Sequence, residues 1–354
     1  MATFPKLRVE GSHREVGRQI GAATASTLRA AVAFDAALPA GRSRDEQLAL
    51  ASRYRNATLA ATPWLVDEID GAAEGAGVDP IALFAAGIEE IWSVRPSQAT
   101  AGVVVDGRCS DLVAGPPASA DGHLWVGHTN DLSLASRDEA IAIEWHVPGE
   151  PTVFSLGIGP WISVGWNAAG LSLTGNELSP NDERVGVPRL LMVREQLSAR
   201  SMDEAVTMAL RDDRASSYNT VFATPDGRVV NVEGSATDAE LEGVGERGTL
   251  AHTNHYACTR MRGYEGDPDY ARQSAVRLDR ARSLLDGAAR GTIDAAWMRR
   301  ALSDHETSPA LCRHAEADSR VATAFWCVVD VTAGDIRYGL GNPCQPGEER
   351  FRFP

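Results

Sequence analysis

The sequence has no stretch of about 18 apolar residues, and its start, MATFPKLRVEGSHREVG, lacks a basic segment followed by an apolar one, so neither a membrane span nor a secretory leader is expected. A cytoplasmic protein is the expectation. Positive charge is also scarce. The 34 Lys and Arg stand against 48 Asp and Glu, a net charge of −14, whereas DNA, RNA or an anionic membrane needs a basic footprint. A neutral or cationic small substrate fits better. The five cysteines, Cys109, Cys258, Cys312, Cys327 and Cys344, are an odd set without close pair spacing, which argues against a disulfide framework and against a structural zinc site. Internal repeats, low-complexity tracts and a Pro/Ser linker are missing too, so residues 1–354 read as one domain. With 44% hydrophobic and 23% charged residues, the chain can bury a large core.

What is present changes period near residue 108. Residues 12 to 92 read as helices: Ser43 and Glu46 form a capping box, and Asp79-Pro80 places an N-cap before a first-turn proline. After that, Val103 to Val105, Leu124 to Val126, Ile141 to Trp145 and Val153 to Gly157 read as strands, with a hairpin turn at Ala120-Asp121-Gly122. A second helical block runs from Val187 to Leu210, divided by a capping box at Ser201 and Glu204. Strands follow at 220 to 233, helices at Asp269 to Leu285 and Ile293 to Leu302, and a closing hairpin at 322 to 340. Strand runs separated by paired helices, without βαβ alternation, predict a layered α+β fold with antiparallel sheets.

At the change of period stands Asp106-Gly107-Arg108-Cys109-Ser110. Cutting the Arg108–Cys109 bond would give Cys109 a free α-amino group beside its thiol. The two have ordinary pKa values of about 8 and about 8.5, so proton transfer between them costs roughly 1 kcal/mol or less. The alternative is a buried cysteine acting as a small hydrophobe. Four polar clusters interrupt strand patterns elsewhere: Gly127-His128-Thr129-Asn130-Asp131, Trp166 to Asn176, Ala251-His252-Thr253-Asn254-His255 and Asp318-Ser319-Arg320. Acyl transfer needs a nucleophile, a group that handles its proton and donors for the oxyanion. Cys109 supplies the first, Asp131 can hold an α-ammonium group, Asn254 and Asn176 are neutral oxyanion donors, and Arg320 can hold Asp131 or a substrate carboxylate. Ser110, His128 and His255 are the candidates for substrate contact. Each residue also has a purely structural reading, as turn former, cap or solvated charge. The pair His252 and His255 lacks a third nearby ligand, so no metal and no cofactor are expected. Ser319 lacks the Gly-x-Ser-x-Gly elbow of a serine hydrolase.

Over nearly its whole length the sequence resembles the acyl-coenzyme A:isopenicillin N acyltransferase-like family of N-terminal-nucleophile hydrolases. The residues that carry the resemblance are Gly11-Ser12-His13-Arg14-Glu15-Val16-Gly17-Arg18-Gln19-Ile20-Gly21, Cys109-Ser110, Asp121-Gly122 through Asp131, Asn167 to Gly170, Gly186-Val187-Pro188, His252 to His255, Cys312-Arg313 and Ser319-Arg320. It implies an αββα four-layer sandwich, self-cleavage before Cys109 into a helix-rich 1–108 segment and a 109–354 segment that stay associated, Cys109 as nucleophile, Asn254 in the oxyanion hole, and Asp131 with Arg320 in support. Two departures stand out. Arg108 is interposed where the fungal pattern has glycine directly before the cysteine, which bears on cleavage because glycine tolerates strain that arginine does not. Gly-His-Thr-Asn-Asp replaces Gly-Gln-Asn-Trp-Asp, which implies a changed substrate. The expected function is a cysteine amidohydrolase acting on a small amide, an N-acyl or aminoacyl conjugate, through an acyl-thioester. The alternatives are an acyltransferase moving an acyl group from a thioester to an amine, and an unprocessed binding protein on the same fold. A homo-oligomer is left open.

Overall fold

The computed structural model describes residues 3–34, 43–93, 108–315 and 321–354. The expected strand at Val103 to Val105 and the candidate Arg320 lie outside the described residues. The chain opens with strand β1 (Lys6–Glu10), followed by helices α1 (His13–Ala23), α2 (Ala25–Phe34), α3 (Arg44–Ala61), α4 (Pro63–Ala76), α5 (Pro80–Ala86) and α6 (Glu89–Ser93). Next come β2 (Arg108–Ala114), β3 (Trp125–Ser133), the short helix α7 (Leu134–Arg137), β4 (Ala140–His146), β5 (Val153–Ile158), β6 (Trp161–Asn167) and β7 (Ser172–Asn176). Helices α8 (Arg189–Leu197) and α9 (Met202–Ala209) precede β8 (Asn219–Ala223), β9 (Val229–Gly234), β10 (Ala239–Glu242) and β11 (Thr249–His252). The chain closes with α10 (Pro268–Gly287), α11 (Ala295–Leu302), β12 (Val321–Asp330), β13 (Asp335–Leu340) and β14 (Glu349–Phe351).

The caps behave as their side chains dictate. Ser43 and Glu46 form the full capping box, and Asp79 accepts the Ala82 N–H ahead of Pro80. The box at Ser201 is only half made. Ser201 accepts from the Glu204 N–H, but the Glu204 carboxylate turns to the Arg200 N–H, which lies one residue further out.

The strands form two sheets. One has the order β1-β4-β5-β6-β7-β8-β9-β10, antiparallel except for the β1–β4 pair, and the other has the order β11-β2-β3-β12-β13-β14, antiparallel throughout. Their facing surfaces bury Val113, Val126, Phe325 and Cys327 against Phe154, Leu156, Val164 and Val221. The outer face of the first sheet packs Ile143, Trp145 and Leu173 on Val16 and Ile20 of α1, Leu197 of α8 and Ala205 of α9. The outer face of the second packs Leu112, Trp125 and Val328 on Leu278 and Leu285 of α10 and Met298 of α11. This is an α+β, four-layer αββα sandwich, because each sheet must bury two apolar faces and has only one partner sheet. The helices α3, α4 and α5 share a further core with Val187 and Leu191.

Two glycines of the Gly11–Gly21 segment and two of α4 let the helices α1 and α4 approach closely. A Cβ at Gly17 would stand 2.0 Å from the Glu68 carbonyl oxygen, and one at Gly21 would stand 2.0 Å from that of Ala72. From the other helix, a Cβ at Gly71 or Gly75 would meet the Arg14 or Arg18 carbonyl oxygen at 2.2 or 2.1 Å. Helices α1 and α4 therefore touch backbone to backbone. An exposed helical Gly→Ala change gains up to about 1 kcal/mol in propensity, whereas overpacking costs roughly 1–3 kcal/mol. We expect Gly21→Ala to lower the thermal midpoint followed by circular dichroism; an unchanged or raised midpoint would show that the helices separate at no cost.

Candidate active site

Alternation along β2 and β3 decides which side chains meet. Cys109, Asp111 and Val113 share one face of β2, and Val113 lies in the core between the sheets, whereas Leu112 and Ala114 lie in the core against α10 and α11. Cys109 therefore points inward between the sheets, and Ser110 points outward to α10. Cross-strand register extends the pattern. Cys109 pairs with Asn130 and Asp111 with His128 on the inner face, and Arg108 pairs with Asp131 and Ser110 with Thr129 on the outer face. The thiol and the Asp131 carboxyl thus sit on opposite sides of one sheet, with the Cys109 backbone nitrogen between them. A bulge between Thr323 and Phe325 of β12 shifts the side-chain phase, so Thr323 faces Asp131 while Phe325 joins the inner core beside Asn130.

Cys109 is held by its backbone. Its N–H donates to Asn254 Oδ1 at 2.9 Å, and its carbonyl oxygen accepts from Arg277 Nη1 at 2.8 Å. The same guanidinium donates to Ser110 Oγ at 2.8 Å and to Asn254 Oδ1 at 2.7 Å. With two donors on Oδ1, the Asn254 amide has one orientation, and Nδ2 donates to the Glu177 carbonyl at 3.1 Å. One Nδ2 hydrogen is thereby used and the amide group carries two. Ser274 of α10 fixes the loop: its Oγ accepts from the Asn254 N–H at 2.7 Å and meets Thr253 Oγ1 and His255 Nδ1 at 2.9 Å each.

Asp131 is fully buried. Its Oδ1 accepts from Thr323 Oγ1 at 2.7 Å, and its Oδ2 has no partner among the described residues. Burial pushes its pKa up to about 6 against the pull of Arg277, the Thr323 hydrogen bond and Arg313. Burial, then the charges of Asp131, Asp111 and Glu177, likewise pushes the Cys109 thiol well above its ordinary value, with Arg277 opposing. The inexpensive proton transfer expected from the sequence belongs to a free α-amino group; in the uncut chain the thiol stays protonated.

A second buried chain of polar groups ends near the cysteine. Asn176 Oδ1 accepts from Asn219 Nδ2 at 3.3 Å and faces His252 Nδ1 at 3.0 Å, while its Nδ2 has no partner among the described residues. His252 Nε2 lies 2.8 Å from Glu233 Oε1. Burial works against ionisation of Glu233, but His252 and the N–H groups of Ala257 and Cys258 outweigh it and hold the carboxyl below its usual range.

Cys109 opens into a cleft of about 530 Å³ lined by Asn130, Leu132, Ile162, Ser163, Leu173, Leu190, Val193, Tyr218 and Thr220, with Glu89 and Glu177 at its polar end. Buried Arg189 donates to both acids, at 2.7 and 3.0 Å, and the Tyr218 hydroxyl donates to Glu89 at 2.5 Å. The three residues expected to contact substrate do not line this cleft. Ser110 faces Arg277 on the other side of the sheet, His128 is buried with Nδ1 2.8 Å from Asp111 Oδ1, and His255 is held by Ser274, with burial lowering its pKa to about 4. His252 and His255 take separate partners. Arg277, Ser274, Glu233 and Thr323 were not singled out from the sequence. The available signal is the buried stripe of α10, Ser274, Arg277, Leu278, Ala281 and Leu285, where two polar residues occupy an otherwise apolar face.

The sequence matches the family model described as acyl-coenzyme A:6-aminopenicillanic acid acyl-transferase over residues 118–345. The chain belongs to that family. It is accordingly an enzyme of the acyl-transferase class that the family's description names. No curated protein matches the sequence significantly. Distant likeness is found to solved structures. The Caenorhabditis elegans N-acylethanolamine-hydrolyzing acid amidase ortholog is 16% identical with a TM-score of 0.43, covering 63% of this chain and 93% of its own. A variant of conjugated bile acid hydrolase from Clostridium perfringens is 13% identical with a TM-score of 0.45, covering 70% and 97%. Penicillin V acylase from Agrobacterium tumefaciens is 11% identical with a TM-score of 0.44, covering 69% and 86%. The fold assignment stands on the sheets and cores of this chain.

Burial of Asp131 makes the stability of the uncut chain depend on pH with a definite sign. A carboxyl whose folded pKa is about 6, against an ordinary 3.8, binds its proton more tightly folded than unfolded. Its unfavourable contribution is therefore absent below pH 4, grows between pH 4 and 6, and reaches about 3 kcal/mol above that. In Cys109→Ala protein, kept uncut, Asp131→Asn should raise unfolding free energy at pH 8 and leave it unchanged near pH 4. Denaturant titration at both pH values checks this, and an equal effect at each would assign the change to packing.

Proposed function

We propose that the chain cuts itself between Arg108 and Cys109 and then acts as a cysteine amidohydrolase on a small amide with an apolar acyl group. The observation that carries the proposal is the surroundings of the Cys109 backbone nitrogen. Asn254 Oδ1 already accepts from it, and Asp131, which pairs across the strands with Arg108, offers a buried carboxylate oxygen without a partner among the described residues. Both are acceptors, suited to an α-ammonium group and not to the single N–H of a peptide bond.

In the first cleavage, Cys109 Sγ attacks the Arg108 carbonyl carbon, the peptide C–N bond breaks as the nitrogen takes a proton, and water hydrolyses the resulting thioester. The freed α-amine then accepts the thiol proton. Thiolate attack on the substrate carbonyl carbon builds an oxyanion, for which Asn176 Nδ2 and the second Nδ2 hydrogen of Asn254 are the donors. The α-ammonium returns its proton to the departing amine, leaving an acyl-thioester. Water, deprotonated by the α-amine, attacks that thioester and releases the carboxylic acid. Asp131 holds the ammonium from the outer face and does not attack, and Arg277 is a cation that acts on Asp131. The family's description supports a second reading, in which an amine replaces water in the last step.

Intact mass separates these chemistries from a binding protein. Wild type should yield two fragments divided before Cys109, and Cys109→Ala should remain one chain; wild type that stays whole yet turns over amides sinks the α-amino mechanism. Among variants shown to be processed and folded, Asn254→Ala and Asn176→Ala should each lower turnover by roughly a hundredfold or more. Asp131→Asn should slow both turnover and labelling of Cys109 by a thiol-directed electrophile, because less thiolate forms. Unchanged labelling and turnover would reduce Asp131 to a structural residue.

A further inference from the structure

Four side chains outside the cleft converge on one point. His305 follows α11, Cys312 and His314 lie in the segment that leads toward β12, and Cys344 lies in the turn between β13 and β14. Their Nε2 and Sγ atoms all lie within 4.8 Å of one another. Cys312 Sγ is 3.6 Å from Cys344 Sγ and 3.7 Å from His314 Nε2; His314 Nε2 is 3.3 Å from Cys344 Sγ and 3.1 Å from His305 Nε2. A zinc ion with Zn–S of about 2.3 Å and Zn–N of about 2.0–2.1 Å separates tetrahedral ligands by about 3.8 Å for S···S, 3.6 Å for S···N and 3.3 Å for N···N. These four separations each fall within about 0.3 Å of their counterparts, and the remaining two, from His305 to the two thiols, lie within 4.8 Å.

We propose that His305, Cys312, His314 and Cys344 bind one zinc ion in a closed, structural Cys2His2 site. Two thiols and two imidazoles in a tetrahedral array suit zinc better than magnesium, calcium or manganese, which prefer oxygen ligands. Four protein ligands leave no position for substrate, and none of the four lines the cleft at Cys109. The surroundings hold the ligands in place. Cys312 N–H donates to the Asp304 carbonyl at 3.0 Å, and Arg280 clasps the Asp304 carboxylate at 3.0 and 2.5 Å. Asn342 Nδ2 donates to the Arg313 carbonyl at 2.7 Å and to Cys312 Sγ at 3.5 Å, the kind of outer contact that orients a metal-bound thiolate. The sequence reading passed over the set because only Cys312 and His314 are near neighbours; the β13–β14 turn brings Cys344 back across the end of the sheet.

The site also reaches toward the catalytic strand. Arg313 N–H, between two ligands, donates to Thr323 Oγ1 at 3.0 Å, and that hydroxyl donates to Asp131. Zinc would pin residues 305–314 to the end of β13 and so fix the Thr323 hydroxyl.

The test uses untagged full-length Cys109→Ala protein, so that its outcome is independent of processing and turnover. After exposure to zinc and desalting, mass-spectrometric metal analysis should find about one zinc per chain. Cys344→Ser and His305→Gln change exposed residues and should each weaken retention by roughly tenfold or more. Cobalt in place of zinc should show thiolate charge-transfer absorption and tetrahedral ligand-field bands, with the charge transfer reduced in Cys344→Ser. The proposal is overturned by a folded chain that retains no zinc, by variants that both retain zinc as well as the parent protein does, or by a Cys312–Cys344 disulfide in freshly purified protein handled without oxidant.

Discussion

Burial of Asp131 with one carboxylate oxygen lacking a donor among the described residues is the constraint on which the site's arrangement turns. Asp131, Asp111 and Glu177 act on Cys109 against Arg277, while Arg313 also draws on Asp131 and Arg189 pairs with Glu177. Burial, with those acids, keeps the thiol protonated, and burial pushes the Asp131 pKa up to about 6 against its neighbouring cations. A buried carboxylate with an unused oxygen is costly unless a donor arrives. In the proposed reaction the donor is the α-ammonium created by cleavage, so the pocket is more complementary to the product of its own processing than to the precursor. Arg277 acts on Asp131 by charge, while three of its five N–H groups go to Cys109, Ser110 and Asn254.

The pleat of β2 turns that charge balance into a division of labour. Thiol and carboxyl occupy opposite faces of one sheet, so they do not hydrogen-bond directly, and the backbone nitrogen at the start of the strand is the group that can address both. A cysteine in mid-strand would have its nitrogen committed to a peptide bond. Cleavage at Arg108 is therefore the step that turns a buried thiol into a self-sufficient nucleophile and base under the proposal.

How much of this was legible depended on whether the signal was local. Cap residues, turns and period placed the helices and most strands, because Ser43, Asp79 and the apolar alternations act within a few residues. The returning strand from the Asp121-Gly122 turn correctly brought Asp131 to the start of β2. Register was not legible, and register is what put His128 against Asp111 and Ser110 against Arg277 instead of in the cleft. Strands β1, β10, β11 and β14 are short: β1 and β11 depend on partners more than a hundred residues away, β4 and β2, whereas β10 and β14 only extend the neighbouring strands β9 and β13. Arg277 was hidden for a related reason: α10 carries several arginines, and only packing shows which one faces inward. The glycines of α1 were visible as a pattern, but their meaning required α4.

Net charge was the least informative guide to the pocket. A chain at −14 suggested a neutral or cationic substrate, and the two acids bordering the cleft are already answered by Arg189, which is itself fully buried and stacked 4.8 Å from the Tyr218 ring. What remains for a ligand is the apolar wall of Leu132, Ile162, Leu173, Leu190 and Val193 leading to Cys109. Such a wall stabilises an acyl group by roughly 25 cal/mol for each Å² removed from water, independent of charge. Adding charge to the acyl group would forfeit that gain and require its own desolvation. Under the proposed function, discrimination among amides would then fall on the acyl side of the bond, with the amine left to the polar end where Glu89 and Glu177 are already paired.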